Sequence, residues 1–252
     1  MGYIKLQKVL QNLGFSRRKA DLLIINGDVQ VNNSIVTEPW YDVDEKDVVT
    51  VDNQKFTHFT SRMYYYILHK PKGYVSTLKD PKQRNTIGKL ISKKLPPEVA
   101  LKIKPAGRLD KDVNGVLILT NDGQLLNILT SAKFGVEKVY IAKVQGRVNI
   151  ENISRIKNGI KDNGEFLKCE DIEILSYTDK HSIVKITMIK GKKHEVKRLM
   201  AYIGNSVIEL TRISHGPIDI SLSPKEGDLV PIEGENLKKL IDLKYRYKGD
   251  HL

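Results

Sequence analysis

The chain has 252 residues, of which 42 are Lys or Arg and 30 are Asp or Glu, so its formal net charge is +12 at pH 7. Hydrophobic residues make up 40% and charged residues 29%, a composition typical of a globular chain with a buried core and not of a disordered one. The excess of positive charge favours a polyanionic partner, with nucleic acid ahead of an anionic membrane surface.

The cysteine content and the apolar runs exclude several classes of protein. The single cysteine, Cys169, cannot form an internal disulfide or a cysteine-rich zinc site. The N-terminus lacks an apolar run of signal-peptide length, and no stretch of about 18 apolar residues occurs in the chain. We therefore expect a cytoplasmic protein without a disulfide, a metal centre or a membrane partner.

Residues 1–55 have a pattern of their own, which predicts a small domain. Apolar residues at positions 6, 9, 10 and 13 predict one helix, and Ser16 is the expected N-cap of a second helix with apolar positions 20, 23 and 24. Alternation at positions 29 and 31, a turn at Asn32 and Asn33, and a return at 35–36 predict a hairpin. A strand at 48–51 closes this unit.

Basic residues concentrate at the start of this unit, since residues 1–19 contain no Asp or Glu. A helix N-terminus attracts phosphate through its dipole and its free N–H groups, and Arg17 and Arg18 stand at the predicted start of the second helix. We therefore favour an RNA-binding surface over a solvated helix face. The residues predicted to contact RNA here are Lys5, Arg17, Arg18 and Lys19.

Residues 56–62 belong to a polar, aperiodic stretch that predicts a linker, and residues 63–245 form a larger second domain. Strand-like runs at 64–68, 116–119, 139–144, 184–188 and 207–210 alternate with helical patterns at 125–129 and 196–203. They lack a strict strand–helix–strand rhythm, so an α+β fold is predicted, with a mixed, largely antiparallel sheet and flanking helices.

Most of the excess charge lies early in this second domain. Residues 62–111 contain 13 Lys or Arg residues and only 3 acidic residues. This stretch is therefore predicted to supply phosphate contacts, Lys70 and Lys72 among them, and RNA binding should weaken steeply with salt.

An aspartate in a loop bounded by glycines is the strongest chemical feature of the chain. Asp110 lies between Gly107 and Gly115, immediately before the apolar run 116–119. Such a loop can hold a carboxylate rigidly at the mouth of a cleft, and a free Asp, with a pKa of ~3.9, is anionic at neutral pH. The residues alone leave open a turn aspartate bonded to its own backbone and a nucleophile or charge stabiliser.

The sequence around Asp110 resembles the signature of the RsuA/RluB/RluE/RluF family of ribosomal RNA pseudouridine synthases. The stretch that carries it is G-R-L-D-K-D-V-N-G-V-L-I-L-T-N-D-G at 107–123. Further similarities, in the family's order, are H-K-P-K-G at 69–73, E-K-V-Y at 137–140, G-K-K-H-E-V-K-R-L-M at 191–200 and G-N-S-V-I-E-L-T-R at 204–212. The resemblance covers nearly the whole chain, and the first unit is similar to the S4 RNA-binding domain.

The resemblance implies that the chain converts uridine to pseudouridine in ribosomal RNA after the target base leaves the stack. It implies that Asp110 is the catalytic aspartate, that Tyr140 stacks on the uracil and that Lys197 is the basic partner of Asp110. The remaining residues with an implied or expected role are Arg108 and Leu210 in the substrate pocket and Arg198 in RNA binding. No cofactor is implied, and we expect a monomer.

Three positions depart from the family's pattern, and several alternatives stay open. Val113 replaces Thr or Ser, Glu195 replaces Gln and could alter RNA affinity, and Lys193 replaces an aromatic or polar residue. The H-x-V-K-R arrangement at 194–198 is closer to the small-subunit (RsuA) branch than to the large-subunit branches. The alternatives are a large-subunit enzyme, a non-catalytic S4-type RNA-binding or ribosome-assembly protein and, with little support, a protein of anionic membranes.

Overall fold

The structure, a computed structural model, describes residues 3–44, 46–57, 62–82 and 84–247. The chain divides into two compact units, Met1–Met63 and Tyr64–Leu252. Most of the predicted linker at 56–62, namely residues 58–61, lies outside the described residues. Within the described ranges, no helix has the length and apolar character needed to cross a membrane.

The first unit contains two helices and six short strands in its described part. In chain order they are β1 Ile4–Lys5, α1 Leu6–Asn12, α2 Arg17–Ile25, β2 Val29–Val31, β3 Ser34–Ile35, β4 Asp42–Val43, β5 Val49–Val51 and β6 Gln54–Phe56. Strands β3, β2, β5 and β6 form one antiparallel sheet in that order, and β1 pairs with β4. The apolar sides of both helices and of the sheet form one core.

The local signals in this unit act as the sequence predicts. The Ser16 side chain accepts a hydrogen bond from the Lys19 backbone N–H at 3.2 Å and so caps α2. Asn32 and Asn33 have φ of 50° and 67°, the left-handed conformation that a two-residue hairpin turn between β2 and β3 requires. Strand β6 was not predicted, because its alternation is short and its residues are polar.

The second unit contains six helices and eleven strands in its described part. The helices are α3 Ile87–Lys94, α4 Pro97–Ala100, α5 Gly123–Thr130, α6 Ile150–Asn158, α7 Glu195–Tyr202 and α8 Gly234–Arg246. The strands are β7 Tyr65–Lys70, β8 Lys104–Pro105, β9 Asn114–Thr120, β10 Lys138–Gln145, β11 Ile160–Asp162, β12 Glu165–Leu167, β13 Asp171–Tyr177, β14 His181–Met188, β15 Val207–His215, β16 Ile218–Asp219 and β17 Leu229–Pro231.

Nine of these strands form one mixed sheet. Seven follow the order β13-β14-β10-β15-β9-β7-β17, while β8 adds to β9 and β16 to β15. Strands β9 and β15 pair in parallel, and the other ladders between described strands of this sheet are antiparallel. The predicted α+β class with a largely antiparallel sheet is therefore confirmed.

Strand β9 shows why its sequence is an unbroken apolar run. Val116 and Ile118 belong to the core formed with α5 and α8, whereas Leu117 and Leu119 belong to the core beneath α3. Alternate side chains of a strand point to opposite faces, so a strand covered on both faces is apolar at every position. A third core packs α7 against β10, β14 and β15.

The parallel pairing of β9 with β15 places the Asp110 loop beside the centre of the sheet. Asn114 and Gly115 are in register with Thr211 and Arg212. Gly115 has φ of 113°, and a Cβ atom built there would lie 2.2 Å from the carbonyl oxygen of Arg212. Only glycine allows this close approach, which brings the loop that precedes β9 next to Leu210 on β15.

Candidate active site

A cleft of about 900 Å³ lies in the second unit, and the Asp110 loop forms one of its walls. The opposite wall is the segment 190–197, which includes the start of α7. The floor is made by Tyr140 on β10 and Leu210 on β15. The cleft thus brings together five residues that the sequence assigned to the site, which are Arg108, Asp110, Tyr140, Lys197 and Leu210.

The Asp110 loop is fixed at several points along its backbone. Leu109 and Val113, on either side of Asp110, are both buried in the core beneath the cleft. The Ser76 hydroxyl donates to the Leu109 carbonyl at 2.7 Å and accepts from the Leu109 N–H at 2.9 Å. The Val113 N–H donates to the Asp110 carbonyl at 3.1 Å. The buried neighbours leave the Asp110 side chain 36% exposed, at the edge of the cleft.

Tyr140 and Leu210 share one face of the sheet. In the β10–β15 ladder Tyr140 pairs with Arg212 and Ala142 pairs with Leu210, so these four residues alternate onto the same face. Tyr140 is half-buried and packs against the core, while Leu210 is buried. An aromatic ring next to an apolar side chain makes a surface on which a flat base can stack.

Lys197 does not pair with Asp110, which corrects the sequence-based expectation. Its Nζ atom lies 2.5 Å from a carboxylate oxygen of Asp112, two positions further along the loop. This hydrogen bond is the main reason why the pKa of Asp112 lies below its ordinary value. Lys197 therefore fixes the loop next to Asp110 and does not neutralise Asp110 itself.

His194 is the basic group nearest to Asp110 among the described ion pairs. Its Nε2 atom lies 3.6 Å from Oδ1 of Asp110. The sequence showed that His194 lies near Lys197 on the helix but assigned it no role. Its signal was the spacing of three between the two residues, which places them close together on one side of a helix.

The prediction that Lys70 contacts RNA is wrong. Lys70 ends strand β7 and is 0% exposed, and its Nζ atom donates to the Pro71 carbonyl at 2.9 Å. Burial lowers the pKa of Lys70 to about 8, although the charges of Asp112 and Asp110 act in the opposite direction. A side chain enclosed in this way cannot reach a phosphate, so its charge acts only on the loop above it.

The prediction that Arg198 contacts RNA is also wrong. Its guanidinium pairs with the carboxylates of Asp162 and Glu165 and donates to the Asp162 carbonyl at 2.8 Å. These hydrogen bonds hold the pKa of Glu165 below its ordinary value. Arg198 therefore ties the β11–β12 hairpin to α7, because two acids more than 30 residues earlier in the chain satisfy it.

Glu195 is not the surface charge that the sequence suggested. It is 4% exposed, and its carboxylate accepts a hydrogen bond from the Lys192 N–H at 3.0 Å. The other carboxylate oxygen has no hydrogen-bond partner among the described residues, and burial raises the pKa of this group. The family's Gln at this position could accept the same backbone hydrogen bond without a buried charge.

Positive charge lines the cleft beyond the residues that the sequence singled out. The lysines and arginines along its walls are Arg84, Arg108, Lys111, Lys190, Lys192, Lys193 and Lys197. The exposed Lys72 lies 4.0 Å from Glu209, and Lys5 of the first unit pairs with Asp42 at 2.8 Å. Arg17, Arg18 and Lys19 are exposed on the first turn of α2. Such a lining attracts a phosphate backbone.

The residues of the cleft suit chemistry by a carboxylate on an anionic, aromatic substrate. A half-exposed carboxylate can attack a carbon atom or accept a proton, and the cations can hold phosphates. Within the described ranges, no group of three or more His, Cys, Asp or Glu side chains is arranged to hold a metal ion.

Comparison with known proteins agrees with this site. Residues 64–202 match the RNA pseudouridylate synthase family, and residues 4–49 match the S4 domain. An uncharacterized RNA pseudouridine synthase of Aquifex aeolicus is 39% identical over 96% of both chains. The ribosomal large subunit pseudouridine synthase B of Bacillus subtilis is 34% identical over 94% of this chain and 97% of its own. A crystal structure of a pseudouridylate synthase is similar with a TM-score of 0.65 and 30% identity, covering 94% of this chain and 99% of the other.

The chain belongs to the RNA pseudouridine synthase family, and it is an RNA-modifying isomerase with an N-terminal S4 domain. The resemblance found in the sequence and the predicted pairing of these two domains are therefore confirmed.

Proposed function

We propose that this enzyme isomerises a specific uridine of ribosomal RNA to pseudouridine and that Asp110 acts on the flipped nucleoside. The observation that carries the proposal is the convergence of Asp110, Tyr140 and a lining of cations on one cleft. The relative from Bacillus subtilis, whose name specifies a ribosomal substrate, supports ribosomal RNA as the target.

The chemistry needs only one carboxylate. The reaction breaks the N1–C1′ bond of uridine, turns the base, and joins C5 to C1′ with loss of the C5 proton. Ordinary glycosidases use a second carboxyl group because an alkoxide leaves poorly without a proton. The uracil anion is a much better leaving group, so Asp110 could attack C1′ or remove the 2′ proton without an acid partner. Both routes require an ionised Asp110.

Tyr140 and Leu210 hold the detached base in this proposal. The half-buried ring of Tyr140 supplies the stacking surface, and Leu210 packs beside it on the same sheet face. Stacking on an aromatic side chain is worth roughly 1–3 kcal/mol per base, which helps to offset the few kcal/mol lost when the base leaves its stack. Tyr140 could also assist removal of the C5 proton.

The cations of the cleft and of the first unit bind the phosphate backbone. The residues that we propose for this role are Arg108 and Lys72 in the second unit and Lys5, Arg17, Arg18 and Lys19 in the first. Each phosphate contact releases counterions, so the affinity for RNA should fall linearly with salt on logarithmic scales.

Two observations favour different ribosomal targets. His194, Val196 and Lys197 follow the pattern of the small-subunit branch, and we propose small-subunit RNA as the target on this basis. The name of the Bacillus subtilis relative favours large-subunit RNA as the second candidate. We place the reaction in the cytoplasm, with the enzyme acting as a monomer.

The experiment is a map of pseudouridines in both ribosomal RNAs from cells with and without this protein. We expect one position to revert to uridine in the deletion strain and to regain pseudouridine with the wild-type gene but not with Asp110→Asn. Identical maps in all strains would contradict the proposal. Rescue of a ribosome-assembly defect by Asp110→Asn would support the non-catalytic RNA-binding alternative.

A further inference from the structure

The distribution of cations around the Asp110 loop differs from a simple lysine–aspartate pair. Lys197 is bonded to Asp112, while the imidazole of His194 lies 3.6 Å from the Asp110 carboxylate. Both His194 and Asp110 line the cleft, and their side chains are 47% and 36% exposed. The cation that can act directly on the Asp110 carboxylate in this structure is therefore a histidine.

The backbone presents His194 to the cleft through a closed turn. The Lys192 N–H donates to the Glu195 carboxylate at 3.0 Å, and the Glu195 N–H donates to the Lys192 carbonyl at 3.2 Å. His194 lies within this turn with φ of 54° and ψ of 28°, a left-handed conformation that is uncommon outside glycine. The Arg198 N–H then donates to the His194 carbonyl at 2.9 Å as α7 begins.

A left-handed residue next to functional groups persists only where its surroundings enforce it. Here the two hydrogen bonds between Lys192 and Glu195 enforce it, and Glu195 is itself buried. The position of the imidazole is thus built into the fold and does not depend on a free rotation of the surface chain.

We propose that His194, as the imidazolium, is the positioning residue that keeps the Asp110 carboxylate ionised and directed at the nucleoside. The proposal rests on the function proposed above, in which Asp110 acts on uridine. His194 acts through Asp110 and forms no bond with the substrate. Lys197 has a separate task, which is to fix the loop through Asp112.

Charges on both walls of the cleft set the field at the imidazole. The loop contributes Asp110 and Asp112, which attract the imidazolium, together with Arg108 and Lys111, which oppose it. The opposite wall contributes Lys193 and Lys197, and the buried Glu195. Phosphates of bound RNA would add further negative charge and favour the imidazolium.

The test separates charge from shape at position 194. His194→Asn removes the charge, and Asn accepts a left-handed backbone more readily than most residues. His194→Arg keeps a cation at every pH of the assay. His181→Asn is the matched control, because His181 lies at the start of β14 outside the cleft lining. Each variant is assayed by tritium release from C5-labelled uridine in ribosomal RNA, with kcat and KM measured from pH 6 to 9.

We expect His194→Asn to lower kcat by 10- to 100-fold, with KM within threefold of wild type and an unchanged Tm. His194→Arg should stay within about fivefold of wild type. The wild-type rate should fall as the pH rises through the range in which histidines lose their proton, whereas the His194→Arg rate should not. Should His194→Asn be unstable, His194→Gly, which also accepts the left-handed backbone, replaces it.

A His194→Asn enzyme with wild-type kcat, or a His194→Arg enzyme as slow as His194→Asn, would overturn the role of the imidazolium. Asp110→Asn measured in parallel distinguishes this failure from failure of the proposed function. If Asp110→Asn is inactive and His194→Asn is fully active, only the inference about His194 fails. If Asp110→Asn is fully active, the proposed function itself fails.

Discussion

Lys197 and Asp112 form the ion pair that joins α7 to the Asp110 loop, with 2.5 Å between Nζ and the carboxylate. Asp112 is 68% exposed, and Lys197 is 27% exposed. The pair therefore lies largely in solvent, where the attraction between two charges is strongly screened. Its value to the enzyme is in the geometry of the loop more than in the free energy of unfolding.

The first prediction concerns this pair. Asp112→Asn should lower the free energy of unfolding by about 0.5 kcal/mol or less, because exposed ion pairs contribute little. It should lower kcat/KM by less than about tenfold, since Leu109 and Val113 still anchor the loop. Urea unfolding and tritium-release assays measure the two quantities. A loss of activity as large as that of Asp110→Asn would show that the acid roles have been exchanged.

Much of the framework of this site could be predicted from sequence. The apolar run of β9 and the spacing of Val196, Leu199 and Met200 on α7 reflect burial directly. Asp122 caps α5 by accepting from the Leu125 N–H at 3.1 Å, as its position before Gly123 indicated. These features depend on local propensity and on one-dimensional periodicity, which a sequence displays.

The partners of charged residues could not be predicted in the same way. Asp110 and Asp112 are two positions apart, and sequence spacing cannot decide which of them a lysine 85 residues later will reach. Arg198 is satisfied by acids from a hairpin that the sequence did not reveal. Lys70 is buried because β7 packs inside the sheet, although its neighbours in the chain suggested an exposed turn.

The second prediction concerns Lys70 and follows from its pKa of about 8, below the ordinary 10.5. The folded state loses the Lys70 proton more easily than the unfolded state does. Between pH 8 and 10.5 the unfolded chain therefore binds more protons, and the contribution of Lys70 to stability rises with pH. The free energy of unfolding of wild type, relative to that of Lys70→Met, should rise by up to about 3 kcal/mol across this range.

Urea titrations of both proteins at pH 7, 8, 9 and 10.5 measure this difference. The comparison with Lys70→Met removes the contributions of other lysines, including the buried Lys138, whose pKa burial also lowers to about 8. A difference that stays flat, or that falls with pH, would contradict the burial of a charged Lys70.

The third prediction concerns Glu195. Glu195→Gln keeps the acceptor for the Lys192 N–H and removes a buried charge, so the variant should be at least as stable as wild type at pH 7. Because the folded-state pKa of Glu195 is raised, this advantage should disappear as the pH falls below the ordinary value of 4.5. Glu195→Leu, which lacks an acceptor, serves as the comparison and should be less stable than both. A Glu195→Gln variant as unstable as Glu195→Leu would exclude this account.

The fourth prediction concerns the crossing of β9 and β15. Gly115→Ala places a Cβ atom 2.2 Å from the Arg212 carbonyl oxygen at a φ of 113°, so the strands must separate. We expect a loss of more than about 3 kcal/mol in the free energy of unfolding. Gly164→Ala is the control, because Gly164 also has a positive φ, of 77°, but has open space around it. That variant should lose only about 1–2 kcal/mol. Equal losses for the two variants would mean that the close approach is not what requires glycine at position 115.

The central claim is that the Asp110 carboxylate performs the chemistry in the cleft that it shares with Tyr140. Its most direct test is tritium release from C5-labelled ribosomal RNA by Asp110→Asn under single-turnover conditions, with RNA affinity and Tm measured alongside. The account predicts a rate at least about 1,000-fold lower, with RNA affinity and Tm close to those of wild type. A rate within tenfold of wild type would contradict it.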